Sequence, residues 1–376
     1  MSKQFLYNTE GRHATWLELF FDLIFVVALG QVTHFFSHAH DGHLFDGVWS
    51  RFLLIFIALW WIWVGHTVYS NRFDTDARKH RVATLALMFI VILISGTVDI
   101  EMGKNNALFV GLYVVARLMI AGFYFTSASS AKEKEVFAGK KGLLIIIGAL
   151  ISLSSLLFTS PYSVVVFFAG ILFDMVVPFL VRSKLNFCPI DREHLVERAG
   201  LLAIILLGES VISLSQGIND VAWDTTTIIT ASLGFFLICM IWWIYFDSFP
   251  LLIHSKRDPN GFAILYSQLF TYMAFAILAN MIRHTILMDL DITAFRFMAI
   301  AGMVSFYIGK QVAYFVNIPE YRYAIIRNTV ITFAIVGASL LLSTPRDILI
   351  GMCVSMMAYI VLNWQSQIKL YGKVSM

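Results

Sequence analysis

A chain of 376 residues that is 59% hydrophobic and 15% aromatic but only 14% charged, with a mean hydropathy of +0.77, is not a soluble globule, in which about a quarter of residues carry charge. Its formal net charge of +3 is too small for a nucleic-acid surface and argues orientation in a membrane instead. The lipid bilayer is the expected partner, and nucleic acid is not.

The first predicted element, Trp16 to Phe36 (WLELFFDLIFVVALGQVTHFF), is apolar enough to cross a bilayer yet holds Glu18, Asp22, Gln31 and His34. Ionisable groups in hydrocarbon are costly, which marks them as candidates for function. Glu18 and Asp22 are four residues apart and project from one helical face. The run is too long, and too acidic near its start, for a cleaved signal peptide, so it reads as the first permanent span. With about 20 apolar residues needed per crossing, the chain yields twelve spans: 14–37, 48–70, 80–100, 106–129, 142–159, 161–182, 193–216, 225–249, 260–287, 294–317, 325–343 and 346–368. Pro161 and Pro345 sit in the short turns before spans six and twelve, where proline opens a helix without wasting a donor.

Basic residues alternate from side to side of the predicted membrane. Lys3 and Arg12, then Arg72, Arg78, Lys79 and Arg81, then Lys132, Lys134, Lys140 and Lys141, fall on one side. Arg182, Lys184 and Arg192, then Lys256 and Arg257, Arg322 and Arg327, and Lys369 and Lys373 fall there too. The other side carries mainly acids: Asp41, Asp46, Asp99, Glu101, Asp220, Asp224, Asp289 and Asp291. This pattern puts both termini in the cytoplasm. No connection is long enough for a soluble domain.

The two halves echo one another. Val26 to Gln31 matches Ile204 to Glu209, the pair Trp60-Trp61 matches Trp242-Trp243, and Arg117 in span four matches Lys310 in span ten. The expected architecture is an all-α polytopic membrane protein of about twelve transmembrane helices, arranged as two parallel six-helix repeats, 1–185 and 190–376.

Several polar residues inside these spans are candidates for a polar pathway. Glu18 and Asp22, with their echo Glu197-Arg198, read either as a proton or cation site or as groups that pair with neighbouring helices and fix their register. Glu209, Ser213 and Gln216 form a stripe along span seven, which either lines a polar cavity or meets another helix. Arg117 near mid-membrane requires an internal partner or an aqueous cavity, with Glu209, Asp22 and Asp174 as candidates. Asp174 and Asp247 lie toward the cytoplasmic ends of spans six and eight, and Arg283 and His284 toward the outer end of span nine, where snorkelling is expected.

Trp60, Trp61, Trp63, Trp242, Trp243 and Tyr245 read as a ligand pocket or as packing and interfacial belts. His34, His38, His40 and His43, with Asp41, have side chains suited to zinc, nickel or copper, but connectors also collect histidines without binding metal, and no supporting shell is evident. Cys188, Cys239 and Cys353 are too scattered for a disulfide or metal site and read as inert packing. No P-loop, GxSxG, HExxH or dinucleotide fingerprint occurs in a suitable context, so no cofactor is expected.

The separated motifs LELFFDLIFVVAL, ERAGLLAIILLGESVI and WWIYFD together resemble the bacterial low temperature requirement A family over nearly the whole chain. The resemblance implies a polytopic membrane protein linked by name to growth in the cold, with no settled biochemical activity. The matching positions are Glu18, Asp22, Glu197, Arg198, Gly208, Glu209 and Asp247. In span nine the stretch LYSQLFTYMAF departs from the family by lacking a histidine, which speaks against a histidine-based mechanism there. The first span is faintly similar to the Phe-Ser-Asp helix of the endolysosomal potassium channel family, but Phe21-Asp22 lacks the serine.

The leading expectation is a transporter or channel-like protein whose polar pathway is lined by spans one and seven. Glu18, Asp22 and Glu209 would handle a proton or cation there, while Arg117 and Lys310 set the cavity's charge. The alternatives are a membrane-embedded enzyme or binding protein for a lipid or isoprenoid, with Glu209 or Asp22 as general acid or base, and a non-catalytic structural or sensory protein. Basic groups converging on one pocket near an interface would favour a lipid-phosphate ligand.

Overall fold

A computed structural model describes residues 13–73, 77–98, 105–127, 132–180, 189–253, 255 and 257–371. Lys3, Arg12, Asp99, Glu101, Arg182, Lys184, Cys188, Lys256 and Lys373 of the orientation and cysteine readings lie outside the described residues. Twelve helices of 18 or more residues follow one another: α1 Trp16–Thr33, α2 Val48–Phe73, α3 Arg78–Ser95, α4 Asn106–Thr126, α5 Lys132–Ser154, α6 Tyr162–Leu180, α7 Arg192–Asn219, α8 Thr225–Asp247, α10 Phe262–Leu287, α11 Ile292–Asn317, α12 Arg322–Ser339 and α13 Pro345–Tyr371, with a short α9, Phe249–Ile253, between α8 and α10. Among the described residues there is no β-strand.

Ten of these helices are long and apolar enough to cross a membrane, α3 and α12 being the exceptions. Arg78, Lys79 and Arg81 crowd the start of α3, and Arg322 and Arg327 the start of α12. Helix boundaries otherwise follow the hydropathy pattern closely. The largest difference is α5, which begins ten residues before its predicted apolar run because KEKEVFAGKK extends the helix by nearly three turns.

The bundle is layered by burial. In α10 and α2, 78% and 72% of the apolar window is buried, against 33% for α5 and α6. Helices α2 and α10 therefore form the interior, with α1 packed on α2, α3 and α7, and α10 on α7 and α11. Small residues permit the tightest approaches, since helix association in lipid relies on close packing rather than on a hydrophobic gradient. A Cβ placed on Gly309 of α11 would stand 2.4 Å from the Thr271 backbone nitrogen of α10, and one on Gly170 of α6 would stand 2.4 Å from the Gly148 carbonyl of α5. Gly309→Ala is expected to cost about 1–3 kcal/mol through this overpacking. The checking measurement is the thermal midpoint in detergent, with Gly337→Ala, which meets nothing within 4 Å, as the neutral comparison.

The tryptophan echo splits. Trp60, Trp61 and Trp63 are buried in the interior, whereas Trp242 and Trp243 point outward. Hydropathy cannot separate these environments, because lipid tails and a protein core are equally apolar.

At the outer end, the loop after α1 is tied to the loop between α10 and α11. Asp291 N donates to Gly42 O at 2.7 Å, and Gly42 adopts φ +81, a conformation glycine tolerates. Arg283 and His284 tether this region instead of snorkelling. Arg283 donates to Ser37 O and to Asp220 Oδ2, and buried His284 is held between Phe36 O and Asp289 Oδ1, each at 2.6 Å.

Burial alone pushes the Asp289 carboxyl up, but the hydrogen bond and charge of His284 bring it below its ordinary value. The Asp291 and Asp224 carboxyls are lowered chiefly by the backbone N–H groups of Thr293 and Thr227, which they cap. A depressed carboxyl stabilises the fold fully above its unfolded value near pH 4 and progressively less as pH falls through the lower folded value. The thermal midpoint is accordingly expected to fall between about pH 4 and pH 2, with a shallower slope in Asp289→Asn. An unchanged slope in that variant would remove Asp289 from the account.

Candidate functional site

The densest set of buried charges lies at the seam between α1 and α7. Helix α1 begins with a capping box, in which the Thr15 hydroxyl accepts from Glu18 N and the Glu18 carboxylate accepts from Thr15 N at 2.8 Å. This local device fixes where the helix starts and therefore the face on which Glu18 and Asp22 emerge. On α7, Asp191 caps the first turn by accepting from His194 N, and His194 and Arg198 follow one turn apart.

The two four-residue steps interlock. Arg198 Nε and Nη2 donate to the two oxygens of Asp22 at 3.1 and 2.6 Å, a bidentate pairing that guanidinium geometry favours. Arg198 Nη1 lies 3.1 Å from Glu18 Oε1. Trp63 Nε1 of α2 donates to Asp22 Oδ1 at 2.8 Å, and Ser70 of α2 donates to Glu18. His194 Nε2 meets Glu18 Oε2 at 3.2 Å.

The tautomer of His194 follows from its other side. Asn71 Oδ1 accepts from Asp191 N, which orients the amide so that Nδ2 points at His194 Nδ1, 3.0 Å away. Nδ1 is then an acceptor, and Nε2 carries the hydrogen toward Glu18. Glu18, Asp22, His194 and Arg198 are each at most 1% exposed, so the cluster is closed to bulk water in this conformation.

The other predicted residues fall into separate places. Glu197, next to Arg198, points away from the seam, accepting from Ala14 N at 3.0 Å and facing His13. Glu209 is half-buried farther along the seam, where its carboxylate packs against Gly30 of α1. Ser213 is half-buried, while Gln31 and Gln216 are exposed.

Arg117 finds the partner that its burial requires. It donates to Asp174 of α6 and, at 3.1 Å, to Trp61 O of α2, with the guanidinium 5.6 Å from the Trp61 ring. The absence of a side chain at Gly65 leaves it room, since a Cβ there would stand 2.7 Å from Arg117 Nη1. Asp247 is exposed and accepts from Gln367 and Asn363 of α13. Lys310 is buried, donates to Ser248 Oγ at 2.5 Å and Tyr245 O at 3.3 Å, and lies 4.0 Å from the Tyr314 ring.

His34, His38, His40 and His43 are exposed. His34 contacts Ser37 and His40 pairs with Asp41. Among the described residues, no three His, Cys, Asp or Glu side chains are grouped to hold a metal ion. Cys239 and Cys353 are free thiols.

The sequence reading missed His194, Ser70 and Asn71, and it took Trp63 as pocket or packing without connecting it to Asp22. His194 carried a usable signal, because His194 and Arg198 repeat the spacing of Glu18 and Asp22 with complementary chemistry. The α2 residues carried none, since their role depends on which face α2 turns toward α1.

Fold and buried charge together define the class: an all-α, polytopic membrane protein with an ionic cluster between its first and seventh helices. The chain belongs to the family described as bacterial low temperature requirement A protein, whose model matches residues 13–362. It is also 28% identical, over 274 residues, to a protein of Rhizobium meliloti (strain 1021) described as uncharacterized. That match covers 70% of this chain and 66% of the relative, just under two thirds of its length.

Proposed function

We propose that this protein is a transporter or channel-like protein in which the α1–α7 seam handles a proton or small cation. The observation that carries the reading is the interlocking of two acids on α1 with an arginine and a histidine on α7, all buried. Ion pairs removed from water are costly to build and weak as stabilisers, and they recur where charge moves through membranes. Protonating Asp22 would cancel one side of its pairing with Arg198 and loosen α1 from α7. Glu209 and Ser213 extend the polar route outward along α7, and Glu197 marks its cytoplasmic end. Arg117 and Asp174, paired with each other on α4 and α6, and Asp247 and Lys310, bonded to α13 and to Ser248, stand apart from this route.

The same proposal places the chain in a bacterial inner membrane with both termini cytoplasmic. It divides the chain into two parallel six-helix repeats, 1–185 and 190–376. Shared packing supports the division: in each half the first helix packs on the third, the third on the fourth and the fifth on the sixth. The halves differ in that the fourth helix packs closely on the fifth only in the first half, and the second on the sixth only in the second.

The test is flux in proteoliposomes holding a pH-sensitive dye, with imposed proton, sodium and potassium gradients. Wild-type protein is expected to dissipate at least one gradient, and Asp22→Asn to abolish that flux while eluting as a folded monodisperse species. Wild-type vesicles as tight as protein-free ones would defeat the reading.

A further inference from the structure

Helix α2 brings a third polar side chain to the seam, between the two that hold its acids. Trp63, which donates to Asp22, then His66, then Ser70, which donates to Glu18, are spaced three and four residues apart and so form one stripe of α2. His66 is 1% exposed. Its ring stacks on Phe21 of α1, with centroids 4.1 Å and planes 22° apart, and Phe21 lies between Glu18 and Asp22 on the buried side of α1. The same ring is nearly parallel to that of His80 of α3, at 6.2 Å and 9°.

Both ring nitrogens of His66 are buried without a hydrogen-bond partner among the described residues. One of them carries a hydrogen in either neutral tautomer, and an unpaired buried polar group costs about 1–3 kcal/mol. A phenylalanine would stack on Phe21 in the same place without that cost, so packing does not account for an imidazole here. His80 is half-buried, flanked by exposed Arg78, Lys79 and Arg81, at the end of α3 that the proposed orientation places in the cytoplasm. Among the described residues, the charged and titratable groups within electrostatic reach of His66 are Arg198 of α7, His80 of α3 and Glu18 of α1, while α4 turns Phe123 toward its ring. A proton on His66 is therefore repelled by Arg198 and drawn toward Glu18.

We propose that His66 carries protons from the cytoplasmic side to the acids of α1, an entry route that rests on the transport reading of the seam. A proton taken up from cytoplasmic water by His80 passes to a ring nitrogen of His66 and from there to a Glu18 oxygen. At each transfer between side chains one N–H bond breaks as an N–H or O–H bond forms, and both imidazoles return to the neutral state. The 6.2 Å between the two histidine ring centres is a step that one bridging water spans.

Proton flux in proteoliposomes, read with thermal midpoints in detergent, tests the route. His66→Phe is expected to keep or raise the midpoint, because it removes the unpaired nitrogens and retains a stacked ring, yet to slow proton flux about 100-fold, the lower end of what a positioned proton-transfer group contributes. His66→Gln, polar but unable to titrate, should be slowed to a similar extent. The residual flux of both should lose the pH dependence that the wild type shows between about pH 5 and pH 8, where histidine titrates. Lys369→Gln, an exposed charge at the far end of α13, should match the wild type in rate and pH profile. Wild-type flux in either His66 variant, or slower flux with an unchanged pH profile, would overturn the proposal and leave the transport reading standing. A lowered midpoint in both variants would make His66 a packing residue and overturn it as well, as would wild-type flux of sodium or potassium without protons. Wild-type vesicles tight to all three ions would instead defeat the transport reading itself, and this route with it.

Discussion

Replacing Arg198 with methionine is expected to destabilise the protein by about 3–5 kcal/mol, because it strands Asp22 as an uncompensated charge in a sealed interior. Asp22 retains only the Trp63 indole as a hydrogen-bond donor once its two contacts to Arg198 are gone. Asp22→Leu should be costly for the converse reason, since it leaves Arg198 with Glu18 as its remaining charge contact. The informative experiment is the double variant. Removing both partners removes both desolvation costs, so Asp22→Leu with Arg198→Met should recover most of the loss and show a coupling energy of about 1–3 kcal/mol. Thermal midpoints in detergent, measured across the four proteins of the cycle, check this. Additive losses would mean that the two side chains do not act as a unit. A stable double variant that has lost flux would separate the seam's contribution to stability from its contribution to activity.

The second large effect is expected at Arg117. Arg117→Met leaves Asp174, 1% exposed, without its one charged partner among the described residues, and should again cost about 3–5 kcal/mol. Because Arg117 also holds the Trp61 carbonyl, this change should loosen α2 from α4 and α6 together. Hydrogen exchange should therefore speed up in the buried parts of those three helices and leave α11 to α13 near wild type. Uniform acceleration over the whole chain would indicate global unfolding instead of a local release. Gly65→Ala is a milder version, since it crowds the guanidinium without deleting it.

These expectations rest on partnerships that were unevenly legible in the sequence. Every long helix coincides with a run picked out in the sequence, and ten of the twelve are apolar enough to cross a membrane, because a bilayer demands length and hydrophobicity in the same stretch. The early start of α5 was hidden, since KEKEVFAGKK is polar on average and helical only by periodicity. That hidden stretch supplies Phe137, Lys140 and Lys141 to the wall of a cavity beside α2. The charge at Arg117 announced that it needed a partner, and Asp174 was among the candidates. Choosing between Asp174, Asp22 and Glu209 required knowing which helices touch.

The same limit applies to Glu197 and Arg198. Adjacent in sequence, they point about 100° apart on a helix, so one faces the seam and the other the chain before α1. Reading them as a unit concealed that only Arg198 meets Asp22.

Glu18 both terminates the backbone of α1 through its capping box and contacts residues 176 or more positions later. During synthesis the first helix leaves the ribosome long before Arg198 and His194 exist. Until they arrive, α1 carries two acids whose α7 partners have not been made. The α1–α7 seam can therefore close only after the second half of the chain has begun to be made. A chain truncated after residue 190 should consequently leave α1 more accessible to membrane-impermeant cysteine reagents than the full chain does, with a cysteine introduced at Val26, which is 1% exposed and shares the face of Asp22.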